Sequence, residues 1–193
     1  MRRPDSGLTV LECLFTVAVA GTTMAIVVPL TSEVLDEIRT ASAARYLSGR
    51  IMAIRMDAVR RSTAVALRFE TSPDDYVFTA FVDGNGNGIR TVDIRDGIDW
   101  RAGEPEQLSY TFRGVRFGLL EGTPDADGRA GSGTDGVRIG VPRILTMSPD
   151  GTATSGTLYI RGRRAQYAVR VLGVTGRTRV LQYRSGSRTW ISR

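Results

Sequence analysis

The chain has 193 residues, 26 basic side chains against 20 acidic ones and a formal net charge of +6; every basic residue is arginine, histidine is absent and there is one cysteine. Without histidine, a usable thiolate or a phosphate loop, the commonest acid–base, nucleophilic and nucleotide-binding arrangements are missing. A lone cysteine makes neither an intrachain disulfide nor a thiolate–metal cluster, so the composition points to a non-enzyme without a cofactor.

The first element is the apolar stretch of residues 8–30, in which Glu12 is the only charged side chain. As a helix it would cover about 35 Å, enough for a hydrocarbon core of about 30 Å. A lone carboxylate at bilayer depth costs roughly 2.5–3.5 kcal/mol, so its presence argues for a function. Three readings compete. A cleavable secretory signal would use Arg2 and Arg3 as its basic start and Ala18-Val19-Ala20 as its cleavage site. Glu12 interrupts that signal, and Met24-Ala25-Ile26-Val27-Val28 continues the apolar run past the site. A plain anchor leaves Glu12 without a reason. The third reading is a prepilin-type signal. Arg2-Arg3 lacks the remaining context of a twin-arginine export signal. Cys13 inside this segment reads as a small apolar residue. Pro29 has no amide proton, which predicts a kink or a melted turn where the apolar run ends.

Beyond Pro29 the helical pattern resumes. Glu33, Asp36 and Glu37 stand near its restart and Arg50, Arg55, Arg60 and Arg61 toward its end, an order that complements the helix dipole. Leu47, Ile51, Ile54 and Ala58 form an apolar stripe at helical spacing. From Thr63 the period changes to two, with Val65, Leu67 and Phe69 alternating against Ala66, Arg68 and Glu70. Further strands are predicted over residues 76–82, 107–113, 115–120, 137–141, 143–147, 157–161, 166–172 and 179–183, separated by turn clusters at 72–75, 148–151 and 161–164. Residues 121–136, rich in Gly, Asp, Ser and Thr, read as a surface loop insertion with mobility. The predicted fold is α+β: a long N-terminal helix over 8–61, membrane-spanning over 8–30 and amphipathic beyond, packed on an antiparallel β-sandwich-like head over 62–193.

The start of the chain resembles the class III signal of type IV pilins and type II secretion pseudopilins. A short basic leader, residues 1–7, ends in Gly7; apolar Leu8 follows, and Glu12 is the fifth residue after the glycine. The first residue after Gly7 is Leu where the family mostly has Phe, and the leader carries Asp5. The resemblance implies cleavage by prepilin peptidase between Gly7 and Leu8, N-methylation of Leu8, and a role for Glu12 in recruiting and registering the subunit in a filament. Elementary electrostatics agrees with such roles. Cleavage would leave a cationic amine on Leu8 in an apolar environment, and Glu12 would lie one helical turn away, near the positive end of the helix. Pairing with that amine or with a neighbouring subunit's amine would offset the burial of both charges.

Phe81-Val82-Asp83 ahead of a glycine–asparagine loop, and Ser148-Pro149-Asp150-Gly151-Thr152 ahead of a strand, resemble the type II secretion protein H and FimT/FimU group of minor subunits. That resemblance implies a single-pass inner-membrane protein with a periplasmic head, assembling with other minor and major pilins or pseudopilins on an inner-membrane platform. Its place would be at or near the tip of a type II secretion pseudopilus, supporting protein secretion. The alternative it implies is a FimT-like type IV minor pilin that binds DNA for pilus assembly and natural transformation.

Two constellations carry chemistry of their own. Asp83, Asn85 and Asn87 stand at alternate positions, like the start of an oxygen-ligand calcium loop, but Ile94 occupies the place of the bidentate glutamate. Glycine and asparagine also make tight turns, which is the other reading. Gly176-Arg177-Thr178-Arg179, followed by Tyr183, Arg184, Arg188, Trp190 and Arg193, combines guanidinium groups with aromatic rings. It resembles the Gly-Arg-x-Arg segment associated with DNA capture in FimT-type minor pilins, which implies DNA-backbone contacts for Arg177 and Arg179. A terminal hairpin with a solvated charged face is the competing account. Arg161, Arg163, Arg164 and Arg170 read as the flank of a turn, and Asp74 and Asp75 as turn carboxylates with nothing to tune them.

Overall fold

The computed structural model describes residues 9–73, 75–127 and 133–193, without the side chains of residues 26–30. The chain divides into two compact units, Met1–Leu35 and Asp36–Arg193. Helix α1 (Val10–Arg61) contributes to both. In the first unit every described side chain from residue 9 to residue 25 is exposed, including Val10, Leu11, Leu14, Phe15 and Val17. The helix passes through Pro29, so the melted turn expected there is not found. A missing amide proton removes one intrahelical bond and leaves its neighbours in place.

In the second unit the predicted stripe is the buried one: Leu47, Ile51 and Ala58 are fully covered and Ile54 nearly so. It packs on two antiparallel sheets. The first is built from β1 (Val65–Ser72), β2 (Asp75–Val82), β3 (Trp100–Arg101), β4 (Glu106–Gln107) and β7 (Ile144–Met147), in the order β3-β2-β1-β7 with β4 also on β2. The second comprises β5 (Arg116–Phe117), β6 (Val137–Arg138), β8 (Gly156–Arg161), β9 (Gln166–Leu172), β10 (Arg177–Arg184) and β11 (Thr189–Ser192). Its order is β11-β10-β9-β8-β5, with β6 also on β8. The inward residues alternate as a half-buried sheet requires: Val65, Leu67 and Phe69 from β1, Leu158 and Ile160 from β8, Tyr167, Val169 and Val171 from β9 all join one core with the helix stripe.

Charged staples fix the helix to these sheets. The Asp36 carboxylate accepts the backbone N–H groups of Arg163, Arg164 and Ala165 at 2.8, 2.9 and 3.0 Å, so the β8–β9 turn wraps an anion. Gly162 makes the approach possible, since a Cβ there would lie 2.3 Å from Asp36 Oδ1. Glu37 accepts from the Tyr167 hydroxyl and from Gln182 Nε2. Glu106 accepts from the Tyr46 hydroxyl and from Arg50.

Several predicted elements need correction. Of the strand predicted over 107–113 only Gln107 is in one, as the last residue of β4; α3 (Leu108–Thr111) is one helical turn, in which Phe112 N–H bonds to Leu108 O at 2.8 Å. Leu108 and Phe112 lie on one face of an alternating pattern and also one turn apart in a helix, and the helical option buries Leu108 while leaving Tyr110 outside. The strand over 115–120 shrinks to β5 because Gln166, 1 % exposed, takes over the backbone: its Oε1 accepts from Leu120 N–H and its Nε2 donates to Gly118 O. The strand over 137–141 ends at Arg138. Arg143 has φ of 60°, outside strand geometry, so β7 begins at Ile144. Three elements lie outside the predicted set: α2 (Thr91–Arg95), β3 and β11. Asp75 is not idle in a turn, since it opens β2, is buried, and accepts the Phe117 N–H at 2.8 Å; Asp74 lies outside the described residues.

The described part of the predicted loop insertion is tied down. Asp125 pairs with Arg138 and Asp127 with Arg170, Trp190 Nε1–H donates to Pro124 O, and the Ala126 N–H donates to the Tyr159 hydroxyl. Tyr76, Asp135 and Arg143 form a further knot: the Tyr76 hydroxyl donates to Asp135 Oδ1 at 2.7 Å and Arg143 to Asp135 Oδ2 at 2.9 Å. Burial, then the bond to Asp135 and its charge, push the Tyr76 hydroxyl up to about 12.

Candidate functional site

Gly7 and Leu8, the residues expected at the cleavage and methylation site, lie outside the described residues. Glu12 lies within them, and its environment is local. Glu12 Oε2 accepts both the backbone N–H and the hydroxyl of Thr9 at 3.1 Å, while Thr9 Oγ1 accepts the Glu12 N–H at 3.3 Å. This reciprocal arrangement is a capping box, with Thr9 as the N-cap and Glu12 three residues on. The carboxylate therefore closes the Thr9 N–H, and the Thr9 hydroxyl that of Glu12, at the start of α1. Around it Leu11, Leu14 and Phe15 are 78 %, 64 % and 68 % exposed. Among the described residues no helix is long and apolar enough to cross a membrane. The part of the apolar run whose side chains are described, residues 9–25, is by itself shorter than the 18 or so residues a span needs.

The Asp83 loop behaves as a turn. Asp83 is 5 % exposed, its Oδ1 accepts the N–H groups of Asn85 and Gly86, and its Oδ2 accepts that of Gly88. Asn85 Oδ1 accepts the Asn87 N–H. Asp99, also buried, takes the N–H groups of Gly84 and Arg90. These oxygens are committed to backbone donors, and among the described residues no group of His, Cys, Asp and Glu is arranged to hold a metal ion. Asp83, Asn85 and Asn87 thus stand in a loop that side-chain oxygens hold from inside.

Arg177 and Arg179 lie on β10 with exposed side chains, and among the described residues neither side chain has a hydrogen-bond or ion-pair partner. The register places Arg179 abreast of Arg170, Arg170 abreast of Thr157 and Thr157 abreast of Arg138. Residues abreast in a sheet share a face, so three arginines and a threonine form one row across four strands. The face is the outer one, because the alternate residues Val169 and Val180 point to the core and Thr178 reaches Ser48 on α1. Next to the row, Tyr159, Ala168, Leu181 and Trp190 make a small apolar cluster with Leu119 and Ala126. The two aromatic rings among the C-terminal arginines, Tyr183 and Trp190, pack on each other at 5.3 Å.

No family model matches the chain, and no curated protein is similar to it. Two solved structures are similar in fold. One is a structure of the minor pseudopilin EpsH from the type 2 secretion system of Vibrio cholerae. It is 16% identical, with a TM-score of 0.46 over 75% of this chain and 97% of that one. The other is a crystal structure of the same minor pseudopilin, 15% identical, with a TM-score of 0.47 over 75% of this chain and 94% of that one.

Two features of these sites escape a reading of the sequence. Thr9-x-x-Glu12 ahead of an apolar run is a capping signature, and the lone charge draws the eye away from it. The pairing of Asp125 and Asp127 with Arg138 and Arg170 has no signature at all, because the partners are brought together only by strand register.

Proposed function

We propose that this chain is the precursor of a membrane-anchored minor subunit of the pilin and pseudopilin kind, working at or near the tip of a type II secretion pseudopilus in support of protein secretion. The observation that supports it most is the first unit: a helix whose apolar side chains up to residue 25 all stand exposed, with Glu12 as its one charge over that stretch. Such a surface needs a lipid or helix-bundle environment. Residues 8–30 would meet both in turn, first as a single inner-membrane span with the head in the periplasm and then as the packed core of a filament. The basic leader would stay on the cytoplasmic side, in keeping with the charge bias of membrane proteins. Prepilin peptidase would cut between Gly7 and Leu8 and methylate the new amine, and the assembly platform would join the subunit to its pseudopilin neighbours through Glu12. Co-expression with a prepilin peptidase tests this directly. The intact mass should fall by residues 1–7 and rise by one methyl group; persistence of residues 1–7 would leave only a plain anchor.

One observation favours a second reading, a FimT-like type IV minor pilin that takes up DNA: the exposure and lack of partners of Arg177 and Arg179. Under that reading the full chain in detergent binds duplex DNA with a steep salt dependence. Replacing both arginines with alanine should lower the affinity and flatten the salt slope by roughly 2, about one for each phosphate no longer neutralised. An unchanged slope rejects these two residues as the DNA-binding pair.

A further inference from the structure

The outer face of the second sheet carries an open groove of about 660 Å³ over Arg138, Thr157 and Arg170. Two acids from one short stretch enter it, Asp125 on Arg138 and Asp127 on Arg170. The two pairs are unlike. The Asp125 side chain is only 13 % exposed, and its partner Arg138 also lies over the Tyr159 ring at 5.2 Å and donates to Gly133 O. The Asp127 side chain is 66 % exposed and meets Arg170 at 2.6 Å. A pair this open holds weakly, because water and salt screen it. The stretch does not depend on it either. Pro124 O accepts from Trp190 Nε1–H, and the Ala126 N–H donates to the Tyr159 hydroxyl, so Asp127 can let go while its neighbours stay in place.

Released from Asp127, Arg170 has the makings of an oxyanion site. Thr157 stands abreast of it and lines the same groove, and among the described residues its hydroxyl has no hydrogen-bond partner. A guanidinium fork beside a free hydroxyl is donor chemistry for phosphate oxygens. The Asp127 carboxylate already fills the guanidinium half of that site, which shows that an anion fits there. Arg179 lies abreast of Arg170 on the other side. The row from Arg138 to Arg179 therefore crosses four strands, about 14 Å at the usual strand spacing. Cations set in a line suit a chain of phosphates better than one compact anion.

We infer that Arg170, beside Thr157, is a further phosphate-contacting residue for DNA, and that Asp127 is an internal competitor which DNA displaces from it. This inference rests on the DNA-binding reading and adds a regulation to it: the row supplies the attraction and the chain's own acid holds it down. Asp125 remains on Arg138, because parting a mostly covered pair leaves both charges uncompensated.

The test measures binding of a duplex oligonucleotide to the full chain in detergent, across a salt series, for the parent, Asp127→Asn, Arg170→Gln and the double variant. Asp127→Asn should bind about threefold more tightly, the gain expected from removing an exposed competitor. Arg170→Gln should bind about fivefold more weakly, with a salt slope flatter by about one. In the Arg170→Gln background Asp127→Asn should add nothing, since no guanidinium is left to free. An affinity of Asp127→Asn no higher than the parent's would overturn the proposal. So would a gain that persists without Arg170, which would be a general effect of net charge, or an unchanged slope in Arg170→Gln. Any of these, with duplex binding still lost in the Arg177→Ala, Arg179→Ala variant, leaves the DNA reading standing without the competitor. If none of the four proteins binds the duplex, the DNA reading itself falls and this inference with it.

Discussion

Glu12→Val should leave the chain inserted and cleaved yet keep it out of filaments, with recovery in sheared pseudopili or pili reduced a hundredfold or more. The reasoning starts from the amine that cleavage creates on Leu8. In a packed apolar bundle that cation needs a partner, and removing one member of a buried pair costs about 3–5 kcal/mol because the other is left uncompensated. The capping box supplies a second, smaller role, since Glu12 also holds the Thr9 N–H and hydroxyl. Loss of a cap costs about 1 kcal/mol and frays one turn. Glu12→Gln separates the two, because an amide oxygen still accepts from Thr9 while the charge is gone. If Gln assembles like the parent chain and Val does not, capping is the role that matters. Should Val itself enter filaments as readily as the parent, the assembly reading ends.

Asp36→Ala should have the largest effect on the stability of the second unit, about 1–3 kcal/mol, because three charge-assisted backbone bonds give way to partial hydration. Gly162→Ala attacks the same clamp from the other side, driving a methyl group into Asp36 Oδ1 and Thr40 Oγ1. Because both changes break one clamp, the double variant should lose less than the sum of the singles. The clamp also carries a pH signature. Burial pushes the Asp36 carboxyl up, but the N–H groups of Arg164, Arg163 and Ala165 and the charge of Arg163 outweigh it and hold the group below its ordinary value of 3.8. A carboxyl lowered by folding contributes stability that is fully present above its unfolded value and is lost as pH falls through the folded one. Urea unfolding followed by tryptophan fluorescence should therefore show a clear gap between parent and Asp36→Ala at about pH 7, closing by about pH 2. A gap of constant size across that range would show that the carboxylate charge does not hold the turn. Asp135 is lowered too, against the pull of its own burial, by Tyr76, Val137 and Arg143, so the parent should soften in acid at a second point as well.

What is legible in the sequence follows from how local each cause is. The stripe Leu47, Ile51, Ile54, Ala58 and the strand 166–172 are readable because a single periodicity decides them, and both lie in the core. Residues 107–113 satisfy two periodicities at once, and tertiary packing decides between them, with Leu108 buried in the core and Phe112 against Tyr46. β5 is cut short by a side chain, Gln166, whose effect falls 46 residues away at Leu120. β11 escapes although a Ser-Gly-Ser turn precedes Thr189-Trp190-Ile191; four residues make too weak an alternation to stand alone. The arginines of the outer face are visible singly. Their alignment in one row, and the acidic loop laid across two of them, depends on register between strands that share no local signal.

The carboxylates laid on Arg138 and Arg170 also make the outer face of the second sheet sensitive to its medium. Ion pairs open to water weaken as ionic strength rises, so in strong brine the stretch of residues 124–127 should lift from the sheet while the core beneath it stays packed.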